Sequence, residues 1–367
     1  MSESQEVTAG GAVTGRVWDP ADFRAGIEAT LQDFVDQQSA WLADLGEDAS
    51  RLVEHARVSI SGGKRFRAAF CWWGHLAVAE PEDRHALLRA CASLELLHAS
   101  ALVHDDVMDA SDVRRGRPAT HRAFEALHRE RGWSASAEQY GAAAAILLGD
   151  LLLSWSDELL RTSGLPAPRL LDALGYFDLT RSEVVTGQFL DVSAQARGTS
   201  DVDVAMTVLR YKSAKYSIER PLHIGAALAG AGRATITELT RFGLPLGEAF
   251  QLRDDLLGVF GDPEATGKPA GDDLSEGKRT VLIALALDAL GPGDRARLDE
   301  SLGTRLSPDQ VADLRALIDR SGARGQVEDV ITALTDRALA ALDGADLRDE
   351  ARGVLRDLAA AATQRTV

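Results

Sequence analysis

An all-α fold follows from three features of the 367-residue sequence. Apolar residues make up 45% of it, with Ala and Leu abundant and Val and Ile far fewer, a bias towards helix. Apolar positions recur three and four apart over long segments, and no convincing two-residue alternation marks a strand. Gly, Pro or Asp punctuates most junctions. Neither a domain-sized linker nor a short repeat interrupts the pattern, so one helical domain over residues 20–367 is expected. The Gly-, Ser-, Thr- and Glu-rich residues 1–19 read as a flexible tail.

Asp19 and Pro20 are suited to cap and open a first helix, and Phe23, Ile27, Leu31, Phe34 and Val35 continue it at helical spacing until Gly46. A helix over about 49–59 follows. Ser61-Gly62-Gly63 breaks the chain, Lys64-Arg65-Phe66-Arg67 follows, and a third helix runs from about Ala68 to Val78. Pro81-Glu82-Asp83 opens the next segment, whose periodic run reaches Met108. Residues 114–118 read as a loop. Helices are then expected near 121–131, 135–162, 168–194, 202–231, 236–260, 280–290, 308–321, 327–342 and 347–363. The charged break at 261–278 is a lid candidate.

Composition excludes several classes. A formal charge of −16 speaks against nucleic-acid binding. No run of about 18 purely apolar residues predicts a membrane span, and the N-terminus lacks the basic-then-apolar order of a secretory signal. The two cysteines, Cys71 and Cys91, fall in helical patterns and read as buried thiols, which suits a cytoplasmic protein.

The chemistry is concentrated at Leu102-Val103-His104-Asp105-Asp106-Val107-Met108-Asp109, closely followed by Arg114-Arg115-Gly116. At about 100° per residue, Asp105 and Asp109 share a helix face roughly 40° apart, with Asp106 on the flank. Two carboxylates so placed repel unless a cation joins them, and hard oxygen donors select Mg2+ or Mn2+. Taken alone, the cluster could equally be a solvated helix end. A second cluster, Asp254-Asp255, again has apolar flanks, and burying unpaired carboxylates is costly. Basic residues complement both clusters: Lys64 and Arg67 after the Gly-Gly break, Arg114 and Arg115, Lys212 and Lys215, and Lys268 and Lys278. Each alone could be ordinary surface charge.

Together these motifs resemble the trans-prenyltransferase family, the head-to-tail isoprenyl diphosphate synthases. The resemblance rests on Gly62-Gly63-Lys64-Arg65-Phe66-Arg67, Glu95-Leu96-Leu97-His98, Asp105–Asp109, Arg114-Arg115-Gly116, Lys212-Ser213, Phe250-Gln251 with Asp254-Asp255, and Gly267-Lys268-Pro269, in order, over about residues 25–345. It implies an isoprenoid synthase-type helical bundle around a central cavity. It also implies that Lys64, Arg67, His98 and Arg115 hold the diphosphate of isopentenyl diphosphate, and that Asp105, Asp109 and Asp254 bind Mg2+, three ions in all with Mn2+ able to substitute. Asp106 and Asp255 would support those ligands. Arg114, Lys212, Ser213, Gln251 and Lys268 would contact the allylic diphosphate, whether dimethylallyl, geranyl or farnesyl. The implied reaction ionises the allylic carbon–oxygen bond, lets the isopentenyl double bond attack the cation, and then loses a proton.

Three departures stand out. Gly258 replaces a third aspartate of the second motif, Ser213 a threonine, and Ala68 a proline. Ser100 and Ala101, five and four before Asp105, are small where farnesyl-forming relatives carry aromatics, and the two-residue insertion of bacterial farnesyl synthases is missing. Geranylgeranyl diphosphate is therefore the expected product, with longer polyprenyl or farnesyl diphosphate as alternatives; Leu97 and Leu94 are candidate floor residues. A class I terpene cyclase would leave Lys64, Arg67, His98 and Arg115 without a task. A non-catalytic regulatory subunit would usually have lost an aspartate motif. The resemblance further implies a homodimer, without stable membrane insertion.

Overall fold

The computed structural model describes residues 18–262 and 271–364. Its helices are α1 (Pro20–Leu42), α2 (Glu47–Ile60), α3 (Phe66–Leu76), α4 (Arg84–Met108), α5 (Thr120–Glu130), α6 (Ala137–Arg161), α7 (Ala167–Arg197) and α8 (Val202–Leu209). A π-helical segment, Arg210–Glu219, joins α8 to α9 (Arg220–Leu228), and α10 (Arg233–Phe260) follows. The remainder comprises α11 (Asp272–Glu276), α12 (Val281–Ala289), α13 (Pro292–Ser301), α14 (Pro308–Ser321), α15 (Ala323–Asp343) and α16 (Asp349–Thr363). The all-α expectation holds for the described residues. The expected tail falls almost wholly outside them.

Local chemistry sets the boundaries. The Asp19 carboxylate accepts from Ala21 N at 2.7 Å, and Asp83 accepts from His85 N and Ala86 N at 2.9 and 3.0 Å, each satisfying amides that a helix start leaves unpaired. Gly198, at φ 63°, closes α7, a backbone region that suits glycine.

Four expectations need correction. The single helix over 202–231 is three segments, because its middle adopts π-helical bonding. Val113–Arg114 and Arg117–Pro118 form a two-residue antiparallel strand pair inside the expected loop. Asp272–Glu276 is helical within the expected lid, whose residues 263–270 lie outside the described part. A helix at Pro292–Ser301 was not expected at all.

Two apolar cores meet at the site. The first gathers residues of α1–α4, α6, α7, α9 and α16 with the N-terminal part of α10 and the C-terminal part of α15, and the second those of α8, α11–α14, the C-terminal part of α10 and the N-terminal part of α15. Helix α4 is long and apolar enough to cross a membrane by length and composition, but 72% of its most apolar window is buried inside the protein. It is the central post of the first core, and its C-terminal end delivers the first acidic cluster to the boundary between the two.

Candidate active site

A cavity of about 1260 Å³ opens where the ends of α4 and α10 face α7 and the π-helical segment. Asp105 and Asp106 close α4 and Asp109 is its C-cap, with no basic residue in the last turn. A helix C-terminus repels negative charge, so these carboxylates depend on cations from other elements.

Those cations come from three directions. Lys212 Nζ lies 3.2 Å from Asp105 Oδ1 and 2.6 Å from Asp191 Oδ2. Gln188 Nε2 donates to the same Asp105 oxygen at 2.9 Å. Arg114 Nε donates to Asp106 Oδ1 at 2.8 Å. Lys278 Nζ stands 3.3 Å from Asp109 Oδ2, 2.6 Å from Glu276 and 3.5 Å from Asp273. Burial alone would push the Asp105 carboxyl up, but Lys212, Lys278 and Arg114 hold it well below the usual carboxylate range.

Asp109 and Asp255 behave oppositely. Burial and the neighbouring Asp105 push the Asp109 carboxyl up to about 6. Burial, with Asp273 and Asp254 nearby, pushes Asp255 up to about 8, although Gln251 Nε2 donates to it at 2.8 Å. Two carboxyls that resist ionisation close to Asp105, which stays charged, mark a place where positive charge is wanted.

The donor set fits Mg2+. Asp109 Oδ2 is buried and accepts no hydrogen bond. Among the described residues no three His, Cys, Asp or Glu side chains gather tightly enough to cage an ion by themselves. Mg2+ typically takes one or two carboxylates, waters and substrate phosphate oxygens, so separated acidic faces suit a jointly held ion.

The basic side of the cavity is built at the start of α3. Arg65 has a left-handed backbone, φ 56°, which turns its side chain inward to pair with Glu95 and Glu28. Lys64 and Arg67 on either side line the cavity. Arg67 donates to Ser217 Oγ at 2.7 Å and stacks over the Tyr216 ring at 4.2 Å. Tyr216 Oη meets His98 Nδ1 at 3.0 Å. Burial, and then the Arg67, Arg115 and Arg114 guanidiniums, keep the His98 imidazole neutral.

Most of the residues expected at the site therefore converge. Lys64, Arg67, His98, Ser100, Ala101, Leu97, Asp105, Arg114, Lys212, Ser213, Gln251, Asp254 and Asp255 all line the cavity. Asp106 is turned inward as the anchor of Arg114. Arg115 donates to Ser61 O at 2.6 Å, on the Gly-Gly loop behind Lys64. Asp109 sits beneath Lys278. Leu94 is core, 1% exposed, and only Leu97 of the floor pair reaches the cavity. Lys268 lies outside the described residues.

Sequence reasoning missed Gln188, Asp191 and Tyr216. Their signal was faint: Gln188 and Asp191 lie three apart, with Gly187 beside them. A Cβ on Gly187 would come 2.3 Å from Lys212 N, so that glycine lets α7 pack directly against the backbone carrying Lys212.

A family model described as polyprenyl synthetase matches residues 50–319. A geranylfarnesyl diphosphate synthase of Aeropyrum pernix is 32% identical over 283 residues, covering 76% of this chain and 82% of that one. A (2E,6E)-farnesyl diphosphate synthase of Mycobacterium bovis is 32% identical over 266 residues, covering 71% and 68%. Among solved structures, a geranylgeranyl pyrophosphate synthase of Corynebacterium glutamicum, complexed with isoprenyl diphosphate and magnesium, superposes with a TM-score of 0.93 at 42% identity, covering 95% of this chain and 100% of that one.

Proposed function

The chain belongs to the polyprenyl synthetase family, and from that premise we propose that it makes geranylgeranyl diphosphate. It is an enzyme of the prenyl diphosphate synthase type, and its reaction is trans-prenyl transfer between an allylic diphosphate and isopentenyl diphosphate. We assign the diphosphate of isopentenyl diphosphate to Lys64, Arg67, His98 and Arg115. The allylic diphosphate goes to Arg114, Lys212, Ser213 and Gln251, with Lys268 completing the set from outside the described residues.

Magnesium dependence agrees with the family and with the magnesium-bound neighbour. Three ions, replaceable by Mn2+, are part of the proposal, held by Asp105, Asp109 and Asp254. When bound, Mg2+ acts as a Lewis acid on the diphosphate oxygens and favours departure of the leaving group. The protein's own part is electrostatic and steric. Lys212 and Gln188 fix Asp105, Asp106 fixes Arg114, and Asp191 fixes Lys212, so charges near the leaving group are aligned before reaction. The apolar wall formed by Leu97, Ala101, Leu153 and Val184 excludes water from an allylic cation. The allylic carbon–oxygen bond breaks, the isopentenyl double bond supplies the new carbon–carbon bond, and a proton leaves.

Product length rests on one observation: the wall stays open past the first turn below Asp105. Ser100 and Ala101 line it without filling it, and Ser100 Oγ is tied back to Gly149 O at 2.7 Å. The lining continues to Leu97, roughly 12 Å from Asp105 along the helix axis at 1.5 Å per residue. Purified protein, labelled isopentenyl diphosphate and each of the dimethylallyl, geranyl and farnesyl starters, followed by sizing of the products, tests the assignment. Geranylgeranyl diphosphate is expected to accumulate, and farnesyl diphosphate as the sole end product overturns the assignment. The proposal includes a cytoplasmic homodimer. Exposed Ile146 and Leu147 on α6 suit a partner surface, and light scattering of the purified chain tests it.

A further inference from the structure

The two acidic helices are not equivalent. On α4, Asp105 is followed one turn later by Asp109. On α10, Asp254 is followed one turn later by Gly258, which offers no side chain on the same face. The space is nonetheless filled. A Cβ built on Gly258 would lie 1.9 Å from Asp273 Oδ2 and 2.4 Å from its Cγ. Asp273 comes from the first turn of α11, is 9% exposed, and lines the same cavity as Asp254 and Asp255.

Its other oxygen faces the opposite acidic helix. Asp273 Oδ1 is 3.5 Å from Lys278 Nζ, and that ammonium is 3.3 Å from Asp109 Oδ2. The Asp109 side chain is 2% exposed and its Oδ2 accepts no hydrogen bond. One positive group thus stands between Asp109 on one side and Asp273 on the other, where the paired acidic faces call for cations.

We propose that Asp273 supplies the carboxylate that α10 lacks at position 258 and, with Asp254 and Asp255, forms the second oxygen face for divalent cations. Gly258 and Asp273 work as a pair. Any side chain at 258 would expel the Asp273 carboxylate, and without Asp273 the space beside Gly258 would hold no acid. The inference deepens the proposed function and rests on its reading of the site as a divalent-cation site.

The test is a carboxylate swap read by metal binding. Mn2+ alone is titrated into the full chain and free Mn2+ is followed by electron paramagnetic resonance. Asp273→Asn keeps the shape and removes the charge. It is expected to weaken Mn2+ binding roughly 10- to 100-fold, the usual effect of losing one supporting group at a metal site, while melting in metal-free buffer stays near wild type. Asp273→Ala should bind as weakly, and adding Gly258→Asp to it should restore most of the affinity by returning a carboxylate from α10. Wild-type Mn2+ binding by Asp273→Asn overturns the proposal. So does a folded Asp273→Ala/Gly258→Asp variant that binds no better than Asp273→Ala; if that variant does not fold, Asp273→Asn decides alone. Product sizing with the wild-type chain reports separately on the proposed reaction.

Discussion

Placing an aromatic ring at position 101 should shorten the product by one isoprene unit. Ala101 lies one turn from Asp105, about 6 Å along α4. It is half-buried and lines the cavity. A phenylalanine there can reach into open space, so the fold should tolerate it. The open wall below Asp105 now extends about two turns, to Leu97, roughly 12 Å. A ring at 101 removes about half of that depth. One isoprene unit spans four chain carbons, roughly 5 Å when extended at ordinary bond lengths, so the lost depth corresponds to one unit and geranylgeranyl should give way to farnesyl. Position 100 behaves differently. Ser100 is 3% exposed and bonded to Gly149 O, at the contact between α4 and α6. A phenylalanine at 100 should also shorten the chain but overpack that contact, at a cost of about 1–3 kcal/mol. The assay is chromatography of dephosphorylated labelled products, with thermal melting of each variant. Ala101→Phe that still makes the wild-type product refutes the depth argument. Ser100→Phe that melts with the wild type refutes the packing argument.

Other outcomes follow from the charges and close contacts. Asp109 and Asp255 have folded carboxyls raised to about 6 and about 8, above their unfolded value. Between about pH 4 and 8 the folded state therefore holds more protons there, and their contribution to stability is lost as pH rises; Asp255→Asn should flatten the fall in melting temperature measured across that window in metal-free buffer. Mg2+ added with inorganic pyrophosphate near pH 6.5 should release protons, because it favours the ionised carboxylates, and calorimetry in buffers of different ionisation enthalpy measures the release. Lys212→Met leaves the carboxylates of Asp105 and Asp191 without their shared cation, so urea unfolding should show a loss of about 3 kcal/mol, part of it recovered with Mg2+. Gly187→Ala puts a methyl 2.3 Å from Lys212 N; the two elements must separate, and a loss of about 1–3 kcal/mol should accompany a drop in turnover.

What could be read in the sequence depended on how locally each feature is determined. Helix α4 was legible because its apolar spacing, its Asp83 cap and its terminal aspartates are all local. Helix α13 was not, since Leu298 is its one buried residue and a stripe of one leaves no period to count. The strand pair at Val113–Arg114 and Arg117–Pro118 is too short for alternation to show. The π-helical turn carrying Lys212 arises from packing between α7 and α10, with Gly187 on one side, and nothing within Arg210–Glu219 marks it. The same limit applies to single residues. Asp105 and Asp106 are adjacent in the sequence, yet one faces the cavity and the other anchors Arg114. Arg114 and Arg115 diverge because Arg115 takes a left-handed backbone, φ 53°. Gly258 read as a missing acid because the residue that fills its place is fifteen positions on, in another helix.

That displacement also explains how so acidic a site survives without unfolding the chain. The carboxylates do not depend on one counter-charge. Asp105 shares Lys212 with Asp191, Asp106 holds Arg114, and Asp109 faces Lys278 together with Glu276 and Asp273. Asp255 escapes the problem by keeping its proton at neutral pH. Burying this many unpaired carboxylates would cost several kcal/mol each, so lysines, arginine and retained protons are conditions of folding before they are parts of a reaction. A diphosphate brought in with divalent cations meets ammonium and guanidinium groups already fixed in place, and at neutral pH the proton on Asp255 is the one free to leave. The cations that let the acidic helices fold are thus the same ones that prepare the cavity for an anionic substrate.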